Sequence, residues 1–373
     1  MIQIKIPWAQ PDIGEEELNE VVDSFRSGWL TMGPKVKTFE KGLSSFLNVP
    51  YALAVSNGTV ALDLILKSMG IGPGDEVIVP AMTFFASTST VSYQSAVPVF
   101  VDIDPQTFNL DPNCIAEAIT KKTRAILFID YGGNPADYDN LLKVSKRHGV
   151  PLIQDGAQSL GAVYKGRPVG AQAQVASMSF HMAKVMTTVE GGMIFCRKKS
   201  LWHDMLKRRN HGEPAGKKYT HAVLGTNARM SDIHAGIGLA QFNKLPLLIE
   251  KRKQVAKLYD HIFSSKKSKI QVSTTPYENS SNAYFFYPIL IDQRDKISQR
   301  LLHEYGIDTR IAYPMPLWKQ PVYRSSRLSF HKMKCPVAEY VTSKVLNLPI
   351  FPSMTTEMIN YVGQAVLNEV ERC

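Results

Sequence analysis

Residues 76–102 read EVIVPAMTFFASTSTVSYQSAVPVFVD, and this stretch decides the fold. Its two ends, EVIVP and PVFVD, are short and almost entirely apolar, whereas residues 86–94 between them have the length of a helix. Short apolar runs separated by helical segments are typical of parallel strands that are buried on both faces of a sheet. The stretch therefore predicts a strand–helix–strand unit of an α/β fold.

The same alternation continues on both sides of this unit. Strands are predicted at residues 51–55, 76–80, 98–102, 125–130, 151–154, 175–179 and 192–196. Helices are predicted at residues 14–25, 35–46, 60–69, 86–94, 113–119 and 137–148, with a long one over 231–260. We therefore expect a mostly parallel seven-stranded sheet with helices on both faces. Residues 260–373 mix strand and helix patterns, so we expect a large domain over 1–250, including an N-terminal arm, and a small C-terminal α/β domain over 251–373.

Composition narrows the class of protein. Of the 373 residues 44% are hydrophobic, which is enough for a large core. The four cysteines are scattered and form no C-x-x-C pair, so we predict neither a disulfide framework nor a metal site. No apolar run reaches membrane-spanning length, and acidic residues stand where a signal peptide would be apolar. We expect a soluble, cytoplasmic protein without a membrane partner.

A net charge of +10 leaves two kinds of partner to weigh. A basic balance is compatible with nucleic-acid binding, but no nucleic-acid motif accompanies it and aromatic residues do not interleave with the basic runs. A small substrate rich in phosphate explains part of the charge equally well. We therefore predict no nucleic-acid partner.

The stretch SFHMAKVMTTVEGGM (179–193) holds the first residues that suggest chemistry. Lys184 follows a predicted buried strand, a place where lysine is rare unless something pairs with it. An amine in a dry pocket has a lowered pKa and can attack a carbonyl carbon. Ser179, at the end of the same strand, could hold a phosphate. A lysine in an ordinary surface loop is the alternative.

A carboxylate ends another predicted strand, in the motif QDGAQ (154–158). Asp155 would stand at the carboxyl edge of the sheet, where open α/β sheets bind ligands. It could pair with a protonated pyridine nitrogen, which would keep such a ring an electron sink, and Gln158 could bond a ring hydroxyl. Taken alone, an aspartate that caps a loop is an equally good interpretation.

Two further motifs suit a phosphorylated aromatic cofactor. Gly58 and Thr59 follow Ser-Asn at the start of a predicted helix, and the free N–H groups of a helix N-terminus bind phosphate. Ser, Asn and Thr are also ordinary helix caps, which is the favoured interpretation of this motif alone. Phe84 follows the strand EVIVP and could stack on a ring, although core packing is the more common role.

In their order along the chain, these motifs resemble the DegT/DnrJ/EryC1/StrS family of sugar aminotransferases. The resemblance runs nearly from end to end, through SGWLTMGPKVKTFE, VSNGTVALDL, GDEVIVPAMTF, QDGAQSLGAVYKGRPVG, SFHMAKVMTTVEGGM, GTNARMSDIHAGIGLAQ and LNLPIFP. It implies the fold type I architecture of aspartate aminotransferase and pyridoxal 5′-phosphate (PLP) as the cofactor. One departure is Asp155-Gly-Ala, where related chains often have Asp-Ala-Ala or Asp-Cys-Ala; the charge is unchanged.

The resemblance implies a role for each matching residue. Lys184 would carry PLP as a Schiff base and move the proton in transamination, and Asp155 would pair with the pyridine nitrogen. The other cofactor contacts would be Gly58, Thr59, Phe84, Gln158, Ser179 and, reaching the phosphate of the neighbouring subunit, Asn227. The family thus implies a homodimer with shared active sites, which agrees with the two-fold symmetry common among oligomers.

The implied substrates are glutamate as amino donor and a nucleotide-linked keto-sugar, in amino-sugar biosynthesis. Ser179-Phe-His and Tyr131-Gly-Gly slightly favour a 4-keto-6-deoxy sugar, whereas YPMPL (313–317) also occurs in relatives that act at the third carbon. The candidate substrate contacts are His181, Arg229, Arg310, Tyr313 and, with a strand-end loop role favoured, Asp130. Packing is the alternative for the histidine, and surface ion pairs are the alternative for the arginines.

Three other functions stay open. The nearest is a PLP-dependent sugar dehydratase, but in those relatives a histidine replaces the Schiff-base lysine, and His181 does not occupy the position of Lys184. The second is a regulatory or nucleic-acid-binding relative, which the net charge of +10 supports. The third is a transferase of the same architecture that acts on a free amino acid or an aminocyclitol.

Overall fold

The computed structural model describes residues 5–170, 172–264, 269–325 and 328–373. The α-helices in chain order are α1 (Glu15–Ser27), α2 (Pro34–Leu47), α3 (Gly58–Ser68), α4 (Ala86–Tyr93), α5 (Tyr138–His148), α6 (Lys199–Arg209), α7 (Asp232–Phe263), α8 (Arg294–Tyr305), α9 (Pro321–Ser325), α10 (Pro336–Lys344) and α11 (Thr356–Arg372). The strands are β1 (Tyr51–Val55), β2 (Glu76–Pro80), β3 (Val97–Val101), β4 (Thr123–Ile129), β5 (Leu152–Asp155), β6 (Val163–Tyr164), β7 (Arg167–Pro168), β8 (Val175–Ser179), β9 (Gly192–Cys196), β10 (Gln271–Val272), β11 (Tyr287–Leu290), β12 (His331–Lys332) and β13 (Val345–Leu348).

An eight-stranded sheet in the order β1-β9-β8-β5-β4-β2-β3-β12 forms the centre of the molecule. Strand β9 runs antiparallel to both of its neighbours, β1 and β8. All other neighbouring strands of this sheet pair in parallel. Strands β2 and β9 are buried along their whole length, because helices cover both faces of the sheet. The prediction of a mostly parallel α/β fold is confirmed.

Among the described residues, the sheet has eight strands. The seven predicted strands are all present, but the expected number is wrong because an eighth strand lies at one edge. The additional strand is β12, in which His331 and Lys332 pair in parallel with Val99 and Phe100 of β3. Both residues of β12 are polar and exposed. No apolar run therefore signals this strand, and it comes from the C-terminal third of the chain.

The helix expected at residues 113–119 is also wrong, because two short 3-10 turns replace it, Pro112–Cys114 and Ala116–Ala118. The carboxylate of Asp111 accepts a hydrogen bond of 2.9 Å from the Asn113 N–H and starts the first turn. A segment of this length forms too few helical hydrogen bonds to offset the cost of nucleating an α-helix.

Among the described residues, the buried hydrophobic side chains form two clusters. The larger one surrounds the central sheet, whereas the smaller one is formed by residues after 254 together with Ile6 of the N-terminal arm. Helix α7 contributes to both, since Leu245 packs in the first cluster and Val255 in the second. The helix runs across residue 250, where we divided the chain, and the two-domain division stays a prediction. No helix in the described ranges has the length and apolar character needed to cross a membrane.

Candidate active site

The carboxyl ends of the parallel strands position most of the predicted site residues. Asp155 is the last residue of β5 and Ser179 the last of β8. Lys184 lies in the turn between β8 and β9, and Phe84 lies between β2 and α4. These strand ends share one edge of the sheet because the strands run in the same direction.

The amine of Lys184 lies in the protein interior, although the residue as a whole is only half-buried. Its Nζ atom lies 4.2 Å from the centroid of the Phe285 ring. Within the described residues, no hydrogen bond or ion pair reaches this amine. Loss of hydration lowers the pKa of the amine to about 8, and the negative charge of Asp155 opposes part of that shift. About a tenth of the amine is therefore neutral and nucleophilic at pH 7, far more than for an ordinary lysine.

The carboxylate of Asp155 is buried and is held by neutral donors. Its Oδ2 accepts a hydrogen bond of 2.7 Å from Ser87 Oγ, and its Oδ1 accepts one of 3.2 Å from the Ala157 N–H. Ser87 Oγ lies 2.9 Å from Thr83 Oγ1, so the two hydroxyls form a short relay behind the carboxylate. No cationic side chain among the described residues comes within ion-pair distance of Asp155. Because a buried carboxylate without a cation is costly, the site suits a positively charged ligand group.

Gln158 connects the sheet edge to the C-terminal part of the chain. Its Oε1 accepts a hydrogen bond of 2.7 Å from the Gly132 N–H, and its Nε2 donates one of 3.1 Å to the hydroxyl of Tyr313. Burial raises the pKa of Tyr313 well above its ordinary value, so this hydroxyl stays protonated. The ring of Phe84 lies 6.2 Å from the Tyr313 ring and is 56% exposed, which leaves much of it available for stacking on a ligand.

The N-terminus of α3 packs closely against β8 and β9. The helix begins at Gly58, and its cap residue Asn57 accepts a hydrogen bond of 2.9 Å from the Val60 N–H. A Cβ atom added to Gly58 would lie 3.0 Å from the Cβ of Ser179. One added to Gly192 would lie 2.5 Å from the Asn57 carbonyl carbon. The glycines therefore bring the Ser179 hydroxyl next to the free N–H groups at the start of α3, an arrangement that suits phosphate.

The side chains of the remaining predicted residues make contacts outside this group or none to it within the described residues. His181 is exposed, and its Nε2 is 3.9 Å from Glu190 Oε1. Arg229 donates to the side-chain oxygen of Asn210, and Arg310 forms an ion pair with Asp308. Asn227 is exposed, and no contact within the described residues joins it to Lys184 or Asp155. The geometry of one chain therefore brings together Lys184, Asp155, Gln158, Ser179, Gly58, Thr59, Phe84 and Tyr313.

Asp130 has a structural environment. Its carboxylate is fully buried and accepts hydrogen bonds from the Ala136 N–H, Tyr138 Oη, Gln154 Nε2 and Ser159 Oγ. Burial raises the pKa of Asp130 to about 6, against the effect of these hydrogen bonds. All acceptor positions face the protein itself, so this aspartate holds the loop after β4 and does not face a substrate.

Two contacts were not predicted from the sequence. Ser87 follows Thr83 by one helical turn, and this i,i+4 spacing of hydroxyls near a strand end is a local signal that could have been found. Phe285 carries no local signal, because it reaches Lys184 from a distant part of the chain.

The donor set fits PLP. Within the part of the chain that the structure describes, the site combines a desolvated amine without a polar partner, a buried carboxylate without a cation and a helix N-terminus lined by glycine and hydroxyl groups. These match the aldehyde, the pyridine nitrogen and the phosphate of the cofactor, respectively.

Comparison with known proteins agrees with this chemistry. A profile of the DegT/DnrJ/EryC1/StrS aminotransferase family matches residues 11–367, so the chain belongs to this family. It is a PLP-dependent sugar aminotransferase of fold type I.

Individual relatives cover nearly the whole chain. The chain is 33% identical to the GDP-perosamine synthase of Escherichia coli O157:H7, over 97% of each chain. It is 35% identical to the UDP-2-acetamido-2-deoxy-3-oxo-D-glucuronate aminotransferase of Pseudomonas aeruginosa, over 92% of this chain and 93% of that one. The PMP-form of Spr1654 from Streptococcus pneumoniae has a TM-score of 0.91 and 32% identity, over 99% of this chain and 100% of that one. A PLP-form of the same protein is equally similar, with a TM-score of 0.91.

Proposed function

We propose that this aminotransferase moves an amino group from glutamate to a nucleotide-linked keto-sugar. The observation that carries the proposal is the Lys184 amine, desolvated and without a polar partner, near the buried carboxylate of Asp155. Two relatives support the substrate class, because their names refer to a GDP-linked and a UDP-linked sugar.

Each residue of the group has a task in this reaction. Bound PLP supplies an electron sink for the substrate carbon that loses its proton. Lys184 would hold the cofactor, and its amine would carry the proton to and from the reacting carbon. Asp155 would keep the pyridine nitrogen of the cofactor protonated, and Ser87 keeps Asp155 oriented. A pKa near 8 suits Lys184 to both accepting and releasing the proton near neutral pH.

The other residues bind and orient. Ser179 and the start of α3 at Gly58 and Thr59 would hold the phosphate. Phe84 would stack on the cofactor ring, and Gln158, itself fixed by Gly132 and Tyr313, would bond the ring hydroxyl. Asn227 completes the phosphate site of a second subunit, so the active unit is a homodimer.

We infer that the acceptor is a 4-keto-6-deoxy sugar. The sequence stretches at 131–133 and 179–181 favour this class. His181 is the best placed of the proposed substrate contacts, since it is exposed and lies one turn before Lys184. Arg229 and Arg310 are weaker candidates, because each already has a partner within its own chain.

Product analysis tests the proposal. The PLP-loaded protein is incubated with glutamate and a panel of GDP-, UDP- and dTDP-linked 3-keto- and 4-keto-sugars, and products are read by mass spectrometry. We expect amination of a 4-keto-6-deoxy sugar with formation of 2-oxoglutarate, and no product from Lys184→Ala. Amination of a free amino-acid precursor or a cyclitol, with every nucleotide sugar unchanged, would refute the proposed substrate class.

A further inference from the structure

The amine of Lys184 lies against the ring of Phe285. This ring comes from the C-terminal part of the chain and not from the strand ends that position Asp155 and Ser179. The Nζ atom is 4.2 Å from the centroid of the Phe285 ring, close enough for a cation–π contact. Phe285 is 6% exposed, so the contact is shielded from water. Such a contact attracts the protonated amine but offers it no lone pair as a hydrogen-bond acceptor.

The backbone on both sides of Phe285 is anchored. The Ala283 N–H donates to the Gly133 carbonyl at 3.0 Å, and the Phe286 N–H donates to the Gly132 carbonyl at 3.1 Å. The buried guanidinium of Arg252 donates to the Tyr284 carbonyl at 3.1 Å. The ring therefore has a fixed position relative to the strand ends, although it comes from the C-terminal part of the chain.

Trp8 of the N-terminal arm supports the ring from the side. The Trp8 and Phe285 rings meet edge to face, with centroids 6.2 Å apart and planes at 84°. The arm is itself fixed, since the Ile6 N–H donates to the Gly306 carbonyl at 3.1 Å and the Ile6 side chain is buried in the smaller core cluster. Trp8 also packs on Phe286, at a centroid distance of 5.8 Å.

Within the described residues, the amine of Lys184 does not contact the nearby carboxylate of Asp155. The two groups have opposite charges and interact through space, yet no ion pair joins them among the described residues. The attractive neighbour of the amine in this structure is instead the face of Phe285.

We propose that Phe285 is a further positioning residue of the reaction: its ring face holds the Lys184 amine whenever Lys184 is not bonded to the cofactor, with Trp8 as the support of the ring. The inference rests on the proposed role of Lys184. By holding the amine, the ring leaves Asp155 free for the pyridine nitrogen and keeps Lys184 within reach of the carbon whose proton it carries.

The test is the titration of Lys184 in the full-length protein loaded with pyridoxamine phosphate, in which Lys184 carries no cofactor. The protein is labelled with acetic anhydride over a range of pH, and the extent of labelling at Lys184 is read by peptide mass spectrometry. Phe285→Leu keeps the site apolar but removes the π face, so we expect the pKa of Lys184 to fall by about half to one unit. Phe285→Ala admits water, so we expect that pKa to rise toward the ordinary lysine value.

Trp8→Leu should shift the titration in the same direction as Phe285→Leu and by less. Phe330→Leu is the matched control, because Phe330 packs on Phe100 and Tyr323 and should leave the titration unchanged. An unchanged pKa of Lys184 in Phe285→Leu would overturn the inference. Failure of the sugar assay with the expected shift in Phe285→Leu would instead refute the proposed function and leave this contact standing.

Discussion

Ser87 is the residue whose removal should reveal how Asp155 is held. Its hydroxyl donates a hydrogen bond of 2.7 Å to the carboxylate, and a hydrogen bond to a charged group contributes about 1.5–3 kcal/mol. Ser87→Ala should therefore lower kcat by about tenfold or more and weaken cofactor binding. Steady-state kinetics and a fluorescence titration with PLP measure both effects.

The control is Ser89→Ala. Ser89 is buried on the same helix, α4. Because it follows Ser87 by two residues, its side chain projects from a different side of the helix. Its removal should change kcat by less than about twofold. Equal losses in the two variants would show that α4 is merely sensitive to substitution.

Asp130 should give the protein a pH-dependent stability. Because burial raises its pKa to about 6, the folded state holds a proton that the unfolded state releases above about pH 4. This contribution to the free energy of unfolding is fully present below about pH 4 and is lost as the pH rises through about 6. It amounts to about 3 kcal/mol.

Asp130→Asn should remove this fall in the free energy of unfolding with rising pH, because asparagine has no carboxyl group to titrate. Gln154 donates to Asp130, while its own Oε1 is buried without a partner in the described structure. A flipped Gln154 amide could therefore accept from the new Asn side chain. Urea unfolding of the wild-type protein and of Asp130→Asn between pH 4 and pH 7 measures how steeply the free energy of unfolding changes with pH. The two proteins share all other carboxyl groups, so a difference in slope comes from Asp130. Parallel pH profiles would contradict the environment described for Asp130.

The sequence predicted those site residues whose positions follow from the strand pattern. Lys184, Asp155 and Ser179 stand at or just after strand ends, so their clustering follows from parallel strands alone. Ser87 was not predicted, because serine also occurs in helices without any role in a functional site. Phe285 could not be found, since its contact with Lys184 depends on how the C-terminal part of the chain packs.

At the scale of elements, the packing of α3 against β9 decides the phosphate site. A Cβ atom on Gly192 would come within 2.5 Å of the Asn57 carbonyl carbon, at the start of α3. Gly192→Ala should push the helix away from Ser179 and lower the affinity for PLP, while destabilising the fold by about 1–3 kcal/mol. A fluorescence titration with PLP and urea unfolding measure the two effects.

Gly72→Ala serves as the comparison for Gly192→Ala. No atom of the described residues lies within 4 Å of a Cβ added there. This variant should bind PLP normally. Unchanged PLP affinity in Gly192→Ala would contradict the proposed phosphate site.

The elements that could be predicted are those with a strong hydrophobic period and a clear start. Helix α7 begins after Ser231, whose side chain accepts from the His234 N–H, and it was predicted nearly to its full length. The 3-10 turns after Asp111 and the two-residue strand β12 were not, because short polar elements owe their form to their neighbours.

At the scale of the whole molecule, we expect a homodimer. Two large side chains of the loop before α7, Tyr219 and Leu224, are 89% and 87% exposed, and Asn227 is exposed nearby. We propose that these two side chains belong to the dimer contact, where an apolar surface would be covered by the second chain. Light scattering should give the mass of two chains, and Leu224→Glu should shift the protein toward monomer and weaken PLP binding.

Tyr340→Glu is the matched substitution on α10, where Tyr340 is 48% exposed. It should leave the mass unchanged. A wild-type monomer with full activity would refute the shared site and the role proposed for Asn227.

The most direct test of the central claim locates the cofactor on the chain. The protein is loaded with PLP, reduced with borohydride, digested and mapped by mass spectrometry. We predict that the pyridoxyl group is attached to Lys184, with no comparable attachment in Lys184→Arg. A pyridoxyl group on a different lysine, or none on any, would contradict the account of this site.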